Sequence, residues 1–456
     1  MINRICIALV PVTSALCLHA QEMPPEPPPN ILVIFVDDLG YETVGAYGGL
    51  EFETPQIDNM AHEGLMFSRA YTSPVCTPSR VSLHTSLYPT DHHESKVLPI
   101  HLGSKDVVDF ETMPTFAQLF QANGYETSVT GKWQLAALAY HPDHPRTAGF
   151  DSWCVWQIWD GQKNEKTTRY WNPTLNRDGV LLQGQTLKAS TMLPNGELLA
   201  EDTVVLDARD KFGPDVLDAY VKEKMTQATK EGKPFLILHN MMLPHQPLVP
   251  TPVDDEASLK SMIRYLDMMV GGLLEEVDRL GIRDHTYVFF IGDNGTESRE
   301  PRQTLGGLVQ GGKWTLNDGG THVPFIVWGP DSIEKNSVNS TLVDITDVFP
   351  TVCDLAGIQI PEETLIRGYS LAPVITGKAE RSPRQWTVMG IADDVAIYDG
   401  SWRYIKEGSK EILIDARNLP DEKIIDTETE ESRAAKERLS YILSKLSPHS
   451  MPENQK

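Results

Sequence analysis

The chain is poor in positive charge, in cysteine and in long apolar runs. Its 40 Lys and Arg residues against 63 Asp and Glu give a formal net charge of −23, which favours solubility and repels nucleic acid and anionic surfaces at long range. The apolar run at residues 5–18 is shorter than the roughly 20 residues needed to cross a bilayer, and no later segment reaches that length. We therefore expect no nucleic-acid partner and no membrane insertion.

The N-terminus has the pattern of a secretory signal peptide. Arg4 precedes the apolar run at 5–18, and the small residue Ala20 stands before the expected cleavage point. Lipidation at Cys17 is an alternative that the preceding Leu16 disfavours. We predict a signal peptide at 1–20, a stiff Pro-rich linker at 21–29, and export to the periplasm or the extracellular space.

Five cysteines become three if the signal peptide is removed. Cys76, Cys154 and Cys353 then remain, an odd number in an oxidising compartment, so at least one stays unpaired or is chemically changed. A disulfide between Cys154 and Cys353 is left open by the sequence.

Short apolar runs alternate with helical patterns through most of the chain. The runs are typical of strands buried on both faces, at residues 31–36, 127–130, 235–238 and 287–291. Helical spacing joins Ile57, Met60, Ala61 and Leu65, and a second apolar stripe runs through 263–277. This alternation predicts a doubly wound α/β domain, for which we expect residues 30–360.

The pattern changes near Pro361. Short strands are indicated at 395–397 and 402–405, and a charged helix from about Glu430 to Leu446. We predict a smaller C-terminal α+β subdomain at 361–456.

Polar residues follow each of the predicted strands of the first domain. They are Asp37 and Asp38, Lys132, His245, and Asp293 with Asn294. Ligands bind at the carboxyl ends of strands in open α/β sheets, so four segments are expected to converge on one edge. Any one of these residues alone could be a helix cap or a turn. Together, the carboxylate and amide oxygens suit Ca²⁺ or Mg²⁺ better than zinc.

The run from Cys76 to Arg80, Cys-Thr-Pro-Ser-Arg, predicts a helix N-terminus with a reactive sulfur beside a guanidinium. With Val36 to Gly40 and Thr54 to Asp58, this run resembles the type I sulfatase family. Gly131-Lys132-Trp133, Pro244-His245-Gln246-Pro247, and Lys313 ahead of Asp318-Gly319-Gly320 are similar to further motifs of that family.

The resemblance implies a fold: a large mixed, mostly parallel sheet sandwiched by helices, with a small antiparallel sheet and a helix at the C-terminus. It also implies that Cys76 is oxidised to formylglycine by a formylglycine-generating or anaerobic sulfatase-maturating enzyme. The expected metal ligands are Asp37, Asp38, residue 76, Asp293 and Asn294, with Ca²⁺ as the expected ion and Mg²⁺ possible.

The same resemblance assigns roles to the cationic residues. Arg80 holds the nucleophile, Lys132 contacts it and the sulfate, and Lys313 neutralises the sulfate. His245 is placed to protonate the departing alcohol, with Lys313 as the alternative donor.

Several positions depart from the family pattern, including Asp318 in place of glutamate and Ser86 in place of glycine. Gln134 stands where a histidine is usual, and a glutamine can form hydrogen bonds but cannot take a proton at neutral pH. His84 replaces a leucine just past the nucleophile, and His322 stands where arginine is commoner. The aromatic segment from Trp153 to Trp171, and His92 with His93, are candidate substrate contacts, although core packing explains such aromatic residues more often.

These features predict a sulfuric ester hydrolase that removes sulfate from a sulfated carbohydrate. A phosphonate or phosphate ester hydrolase built on the same aldehyde and fold is one alternative. A non-catalytic protein that binds sulfated glycans, suggested by Gln134 and His84, is the other.

Overall fold

The computed structural model describes residues 27–161, 163–182, 211–297 and 300–446. The predicted signal peptide at 1–20 and most of the predicted linker lie outside these residues.

The described strands are β1 (Asn30–Val36), β2 (Leu65–Tyr71), β3 (Glu126–Lys132), β4 (Ser152–Trp156), β5 (Trp159–Asp160), β6 (Glu165–Lys166), β7 (Leu175–Arg177), β8 (Val180–Leu182), β9 (Phe235–Met241), β10 (Thr286–Gly292), β11 (Pro301–Thr304), β12 (Gly307–Gln310), β13 (His322–Trp328), β14 (Ser337–Asn339), β15 (Val343–Asp344), β16 (Thr387–Ile391), β17 (Asp394–Tyr398), β18 (Trp402–Glu407), β19 (Lys410–Asp415) and β20 (Lys423–Ile424).

The described α-helices are α1 (Pro55–His62), α2 (Cys76–Thr85), α3 (Pro89–His92), α4 (Phe116–Ala122), α5 (His144–Thr147), α6 (Gly213–Glu231), α7 (Leu259–Arg279), α8 (Asp318–Thr321), α9 (Val348–Leu355), α10 (Ala372–Ile375) and α11 (Glu430–Leu446).

Eleven of the described strands form one large mixed sheet. Ten of them follow the order β14-β2-β13-β10-β1-β9-β3-β4-β7-β8, and β15 pairs with β2. The centre is parallel, since β10, β1, β9, β3 and β4 run in one direction, whereas β13 and β7 pair antiparallel on either side. The predicted fold class, a mostly parallel mixed sheet with helices, is confirmed.

The central strands are buried on both faces, which explains their continuous apolar sequence. Residues 31–36 of β1 are fully enclosed, and α4 and α6 pack against β3. Each of the four strands predicted from an apolar run is present, extended by one to three residues at one or both ends. Cys154 in β4 and Cys353 in α9 are both buried and are not bonded to each other.

One helix prediction was wrong at its end. Leu65 continues the apolar spacing of α1, but α1 ends at His62 and Leu65 begins β2. Residue 64 is a glycine where the chain turns from α1 into β2. A Cβ atom there would lie 2.3 Å from the carbonyl oxygen of Val327 in β13, so a larger residue would not fit. The close approach of two backbones, which the spacing of apolar residues does not report, therefore ends the helix.

The C-terminal part contains a separate antiparallel sheet of strands β16 to β20. The apolar face of α11, including Leu439 and Leu443, packs with Ile397, Trp402 and Tyr404 of this sheet. An antiparallel sheet with one helix is the predicted arrangement, whereas the boundary at 360/361 stays a prediction. Of the helices in the described ranges, none has both the length and the apolar character to span a bilayer.

Candidate active site

Cys76 and Arg80 are enclosed at the first turn of α2. The helix begins at Cys76, directly after the extended residue Val75. Pro78 falls in the first turn, where a missing N–H breaks no helical hydrogen bond. Cys76 is 2% exposed and Arg80 is 1% exposed, so the protein surrounds both the thiol and the guanidinium.

Lys132 joins this helix to the end of β1. Gly131, with a φ of +91°, precedes it, and a side chain there would meet the Asn240 carbonyl oxygen at 1.8 Å. Lys132 Nζ donates to both carboxylate oxygens of Asp37 at 2.8 Å and to Cys76 Sγ at 3.2 Å. The backbone at Gly131 thus lets the lysine reach the carboxylate and the sulfur together.

Arg80 connects the helix to the end of β10. Its Nη2 donates to Asp293 Oδ2 at 2.9 Å and lies 3.6 Å from Asp37 Oδ1. Its Nη1 donates to the carbonyl oxygen of Lys132 at 3.1 Å. The Nε of this buried guanidinium has no hydrogen-bond partner among the described residues.

Asp38 is the second carboxylate, and it stands in the left-handed region with a φ of +63°. Its backbone N–H donates to Asp293 Oδ1 at 3.0 Å. Its carboxylate accepts from Lys313 Nζ at 2.7 Å and from Asn294 Nδ2 at 2.9 Å. The other end of this amide, Asn294 Oδ1, is buried without a partner in the described part of the chain.

His245 lies between Asp38 and Arg169. Its Nε2 is 3.7 Å from Asp38 Oδ2. On the opposite side of the ring, Nδ1 is 3.1 Å from Arg169 Nη1 and 2.7 Å from the carbonyl oxygen of Gln246. A hydrogen bond from Arg169 needs Nδ1 as an acceptor, whereas a hydrogen bond to the Gln246 carbonyl oxygen needs Nδ1 as a donor. The two contacts therefore select different tautomers of His245.

The buried charges shift one another's pKa values. Burial alone would raise the pKa of Asp37, but Lys132 and the other nearby cations hold it well below its usual range. Burial and the charge of Asp37 raise the pKa of Asp293 to about 7. Burial raises the pKa of the Cys76 thiol, and burial lowers the pKa of His245 to about 3.

The pocket contains a set of atoms that could hold a divalent cation. Donor atoms of Asp37, Asp38, Cys76 and His245 all lie within 4.8 Å of one another. His245, expected as a proton donor, lies within this set, whereas the carboxylate of Asp293 is engaged by Arg80 and by the Asp38 N–H. The unpartnered Asn294 Oδ1 is a hard oxygen of the kind that Ca²⁺ and Mg²⁺ bind, so the residues present fit such an ion.

A cavity of 490 Å³ opens beside this group. Its lining includes Lys132, His245 and Lys313, and also Gln134, whose buried Oε1 has no partner among the described residues. Gln134 therefore lines the cavity with an open hydrogen-bond acceptor.

Two of the other departures, His84 and His322, lie within packed structure. His84 is enclosed by the rings of Phe110, Phe116, Trp133 and Phe150. His322 stacks on Tyr41 and Tyr71, with its Nδ1 3.3 Å from Asp318 Oδ2.

Among the candidate substrate contacts, only Trp156 lines the cavity. Trp153 is fully buried in the core, and His92 lies 3.1 Å from the Ser82 hydroxyl. Sequence reasoning missed Lys166 and Arg169, which also line the cavity. Two basic residues beside an aromatic segment were the available signal.

The arrangement suits a tetrahedral oxyanion bound beside a cation, with a reactive group at residue 76.

A sulfatase family profile matches residues 29–358 of the chain. Bovine arylsulfatase A is 31% identical over 365 residues, which are 78% of this chain and 69% of the relative. Rat N-acetylgalactosamine-6-sulfatase is 29% identical over 387 residues, 80% of this chain and 69% of the relative.

Solved structures share the fold. The crystal structure of Ps i-CgsB matches with a TM-score of 0.73 and 23% identity, covering 92% of this chain and 93% of the other. BT4656 in complex with its substrate D-glucosamine-2-N,6-O-disulfate matches with a TM-score of 0.64 and 17% identity, covering 94% and 100%. The chain belongs to the sulfatase family, and the predicted enzyme class is confirmed.

Proposed function

We propose that this protein hydrolyses sulfate esters of carbohydrates, with Cys76 oxidised to formylglycine. One observation carries the proposal: Cys76 Sγ lies 3.2 Å from Lys132 Nζ, inside a buried group of carboxylates at the strand ends. The relatives named arylsulfatase A and N-acetylgalactosamine-6-sulfatase support the reaction class, and the sulfated sugar bound to BT4656 supports a carbohydrate substrate.

Asp37, Asp38, Asp293 and Asn294 would hold a divalent cation, Ca²⁺ by the family resemblance or Mg²⁺. Such an ion, together with an aldehyde hydrate at residue 76, supplies Lewis-acid polarisation of the sulfate and the attacking oxygen. Hard oxygens dominate this ligand set, which disfavours zinc.

The chain's own residues orient and neutralise the substrate. Lys132 and Lys313 place two cations at the pocket, where they balance the charge of the transferring sulfate. Arg80 fixes Asp293 and approaches Asp37, which keeps the carboxylates in position. His245 Nε2 faces this group and would carry the proton to the leaving oxygen when Nδ1 accepts from Arg169.

The cellular context is part of the proposal. We propose export to the periplasm or the extracellular space, a formylglycine-generating or anaerobic sulfatase-maturating enzyme as partner, and domains at 30–360 and 361–456. The predicted signal peptide at 1–20 is the basis for export.

The direct test measures sulfate release from a panel of sulfated mono- and disaccharides. Cys76→Ala should lower kcat/KM by on the order of 10³-fold or more. Cys154→Ala is the matched control, because it removes another buried cysteine that is outside the described lining of the cavity, and it should retain activity. Equal rates for wild type and Cys76→Ala would contradict the proposal.

Two comparisons separate the alternatives. Sulfate, phosphate and phosphonate esters of the same alcohol should give the highest rate for the sulfate ester. A wild type that binds sulfated sugars without releasing sulfate would indicate a binding protein instead.

A further inference from the structure

One wall of the active-site cavity is basic, although the whole chain carries a formal net charge of −23. Lys166 and Arg169 line it beside the Trp156 ring, and Lys96 also lines the cavity, in addition to Lys132 and Lys313. Within the described lining, Glu297 is the one carboxylate of this cavity, and it lies 4.0 Å from Lys313.

Arg169 is the buried member of this wall. It is 5% exposed, and its guanidinium carbon lies 4.4 Å from the ring centre of Trp156. Its hydrogen bond within the described residues joins it to His245 Nδ1, and it forms no ion pair with a described carboxylate. A buried guanidinium without a counter-charge is costly, so an anion bound beside it would be favourable.

Lys166 adds a second charge from strand β6. Its Nζ lies 6.0 Å from the centre of the same Trp156 ring, and the described carboxylates form no ion pair with it. Although Lys166 is exposed overall, partial burial, followed by the charges of Arg169 and Lys132, lowers its pKa. Two like charges therefore flank the Trp156 ring, and an anion bound between them would reduce their repulsion.

The neighbouring cavity, on the side of Asp38, has the opposite character. Its 500 Å³ are lined by Glu51, Glu297 and Glu300, with Lys260 and Arg302. Asp38 lines it as well, so four carboxylates face two cations, and one of these cations, Arg302, is already paired with Glu51 at 3.2 Å. An anionic part of the ligand is therefore favoured in the cavity lined by Arg169 and disfavoured in the cavity lined by Glu51.

We propose that Lys166 and Arg169 form a subsite for a second anionic group on the sugar that carries the scissile sulfate. This inference rests on the proposed function and narrows its substrate class to sugars with two anionic groups. The second group is a sulfate or a carboxylate, since both present oxygens to a guanidinium and an ammonium. His245 lies between the carboxylates near Cys76 and the proposed subsite, so the second anion binds on the side of its ring that faces Arg169, away from Asp38.

The test compares three substrates with the same scissile sulfate ester: a neutral sugar, one with a second sulfate, and one with a carboxylate. Wild type should show a higher kcat/KM for at least one charged sugar than for the neutral one, and the larger ratio identifies the second group. Lys166→Gln should lower this charged-to-neutral ratio by about fivefold to tenfold. Added salt should lower the wild-type ratio as well, because part of the wall is exposed.

Lys163→Gln is the matched control, because Lys163 is an exposed lysine close in sequence but outside the cavity lining. It should leave the ratio unchanged. Arg169 is not substituted, since it contacts His245 and its loss would alter both kinds of substrate. A wild-type charged-to-neutral ratio of one or less, or a ratio that Lys166→Gln leaves unchanged, would overturn the subsite. Hydrolysis of the neutral sugar in the same assay would still support the sulfatase function.

Binding gives a second readout that is independent of turnover. Calorimetric titration of Cys76→Ala with a disulfated and a monosulfated sugar should show tighter binding of the disulfated one, weakened by Lys166→Gln. Equal affinities would overturn the subsite even if no substrate is hydrolysed, whereas failure of every substrate to turn over would refute the proposed function separately.

Discussion

Two buried groups of charged residues differ in how completely their hydrogen bonds are used. The pocket cluster consists of Asp37, Asp38, Arg80, Lys132 and Lys313 at the strand ends. It leaves the Arg80 Nε without a partner in the described part of the chain, and beside it the amide oxygen of Asn294 is also unpartnered.

The Arg384 cluster consists of Asp347 and Arg384, which precede the C-terminal sheet. Arg384 Nε donates to Asp347 Oδ2 at 2.7 Å, and Nη1 donates to the Tyr88 hydroxyl and the Trp386 carbonyl oxygen, both at 2.9 Å. Its Nη2 contacts Asp347 Oδ1 and donates to Thr346 Oγ1 at 3.2 Å. Every N–H of this guanidinium has a partner.

The difference separates a structural from a functional use of buried charge. A network with all its hydrogen bonds made stabilises one conformation and leaves no capacity for a ligand. A network with open donors and acceptors is less favourable on its own, and a bound anion and cation can complete it. Substitutions in the two clusters should therefore affect different measurements.

The largest expected effect is on stability, at Arg384. Arg384→Met should lower the free energy of unfolding by about 3–5 kcal/mol, because it leaves Asp347 buried without its counter-charge. Denaturant titration measures this loss. Arg367→Met is the control: its ion pair with Asp91 is partly exposed, and its loss should cost about 1 kcal/mol or less. Similar losses of unfolding free energy in both variants would contradict the structural role assigned to the Arg384 cluster.

The next effect is on catalysis, at Lys132. Lys132→Ala should lower kcat/KM for a sulfate ester by about 10²–10³-fold, since it removes a cation from the developing charge. Its unfolding free energy should fall less than that of Arg384→Met, because Lys132 lines the cavity and loss of its side chain would let water reach Asp37. A variant that is as unstable as Arg384→Met would show that the pocket cluster, too, is structural.

The smallest effect concerns Asp267, a buried carboxylate in neither cluster. It accepts backbone N–H groups of Gln56 at 3.0 Å and Ile57 at 2.9 Å, and burial raises its pKa to about 6. The folded protein thus binds this proton more tightly than the unfolded chain does. Its contribution to stability is fully present below about pH 4 and is lost as the pH rises through about 6.

Asp267→Asn should flatten the dependence of the unfolding free energy on pH across this window. Urea titrations of both proteins at several pH values measure the slope. If the unfolding free energy of the two proteins changes with pH in parallel, Asp267 does not titrate between about pH 4 and 6. Ion pairs rather than burial would then dominate the pKa values of the buried carboxylates.

Much of the fold was predictable because buried parallel strands have continuous apolar sequences. The convergence of Asp37, Lys132 and Asp293 followed from the rule that strand ends meet at one edge. Leu65 was placed wrongly because a contact between Gly64 and Val327, distant in sequence, ends the helix. The basic wall was missed because Arg169 follows the short strand β6 rather than a strand of the main sheet.

The central claim is that the pocket cluster surrounds a chemically converted residue 76. The most direct measurement is the mass of the proteolytic peptide carrying residue 76, from protein exported by the native host. The account predicts a peptide that has lost its sulfur and carries an aldehyde, whereas the peptide with Cys154 keeps its thiol. An unmodified thiol at residue 76 in active protein would contradict it.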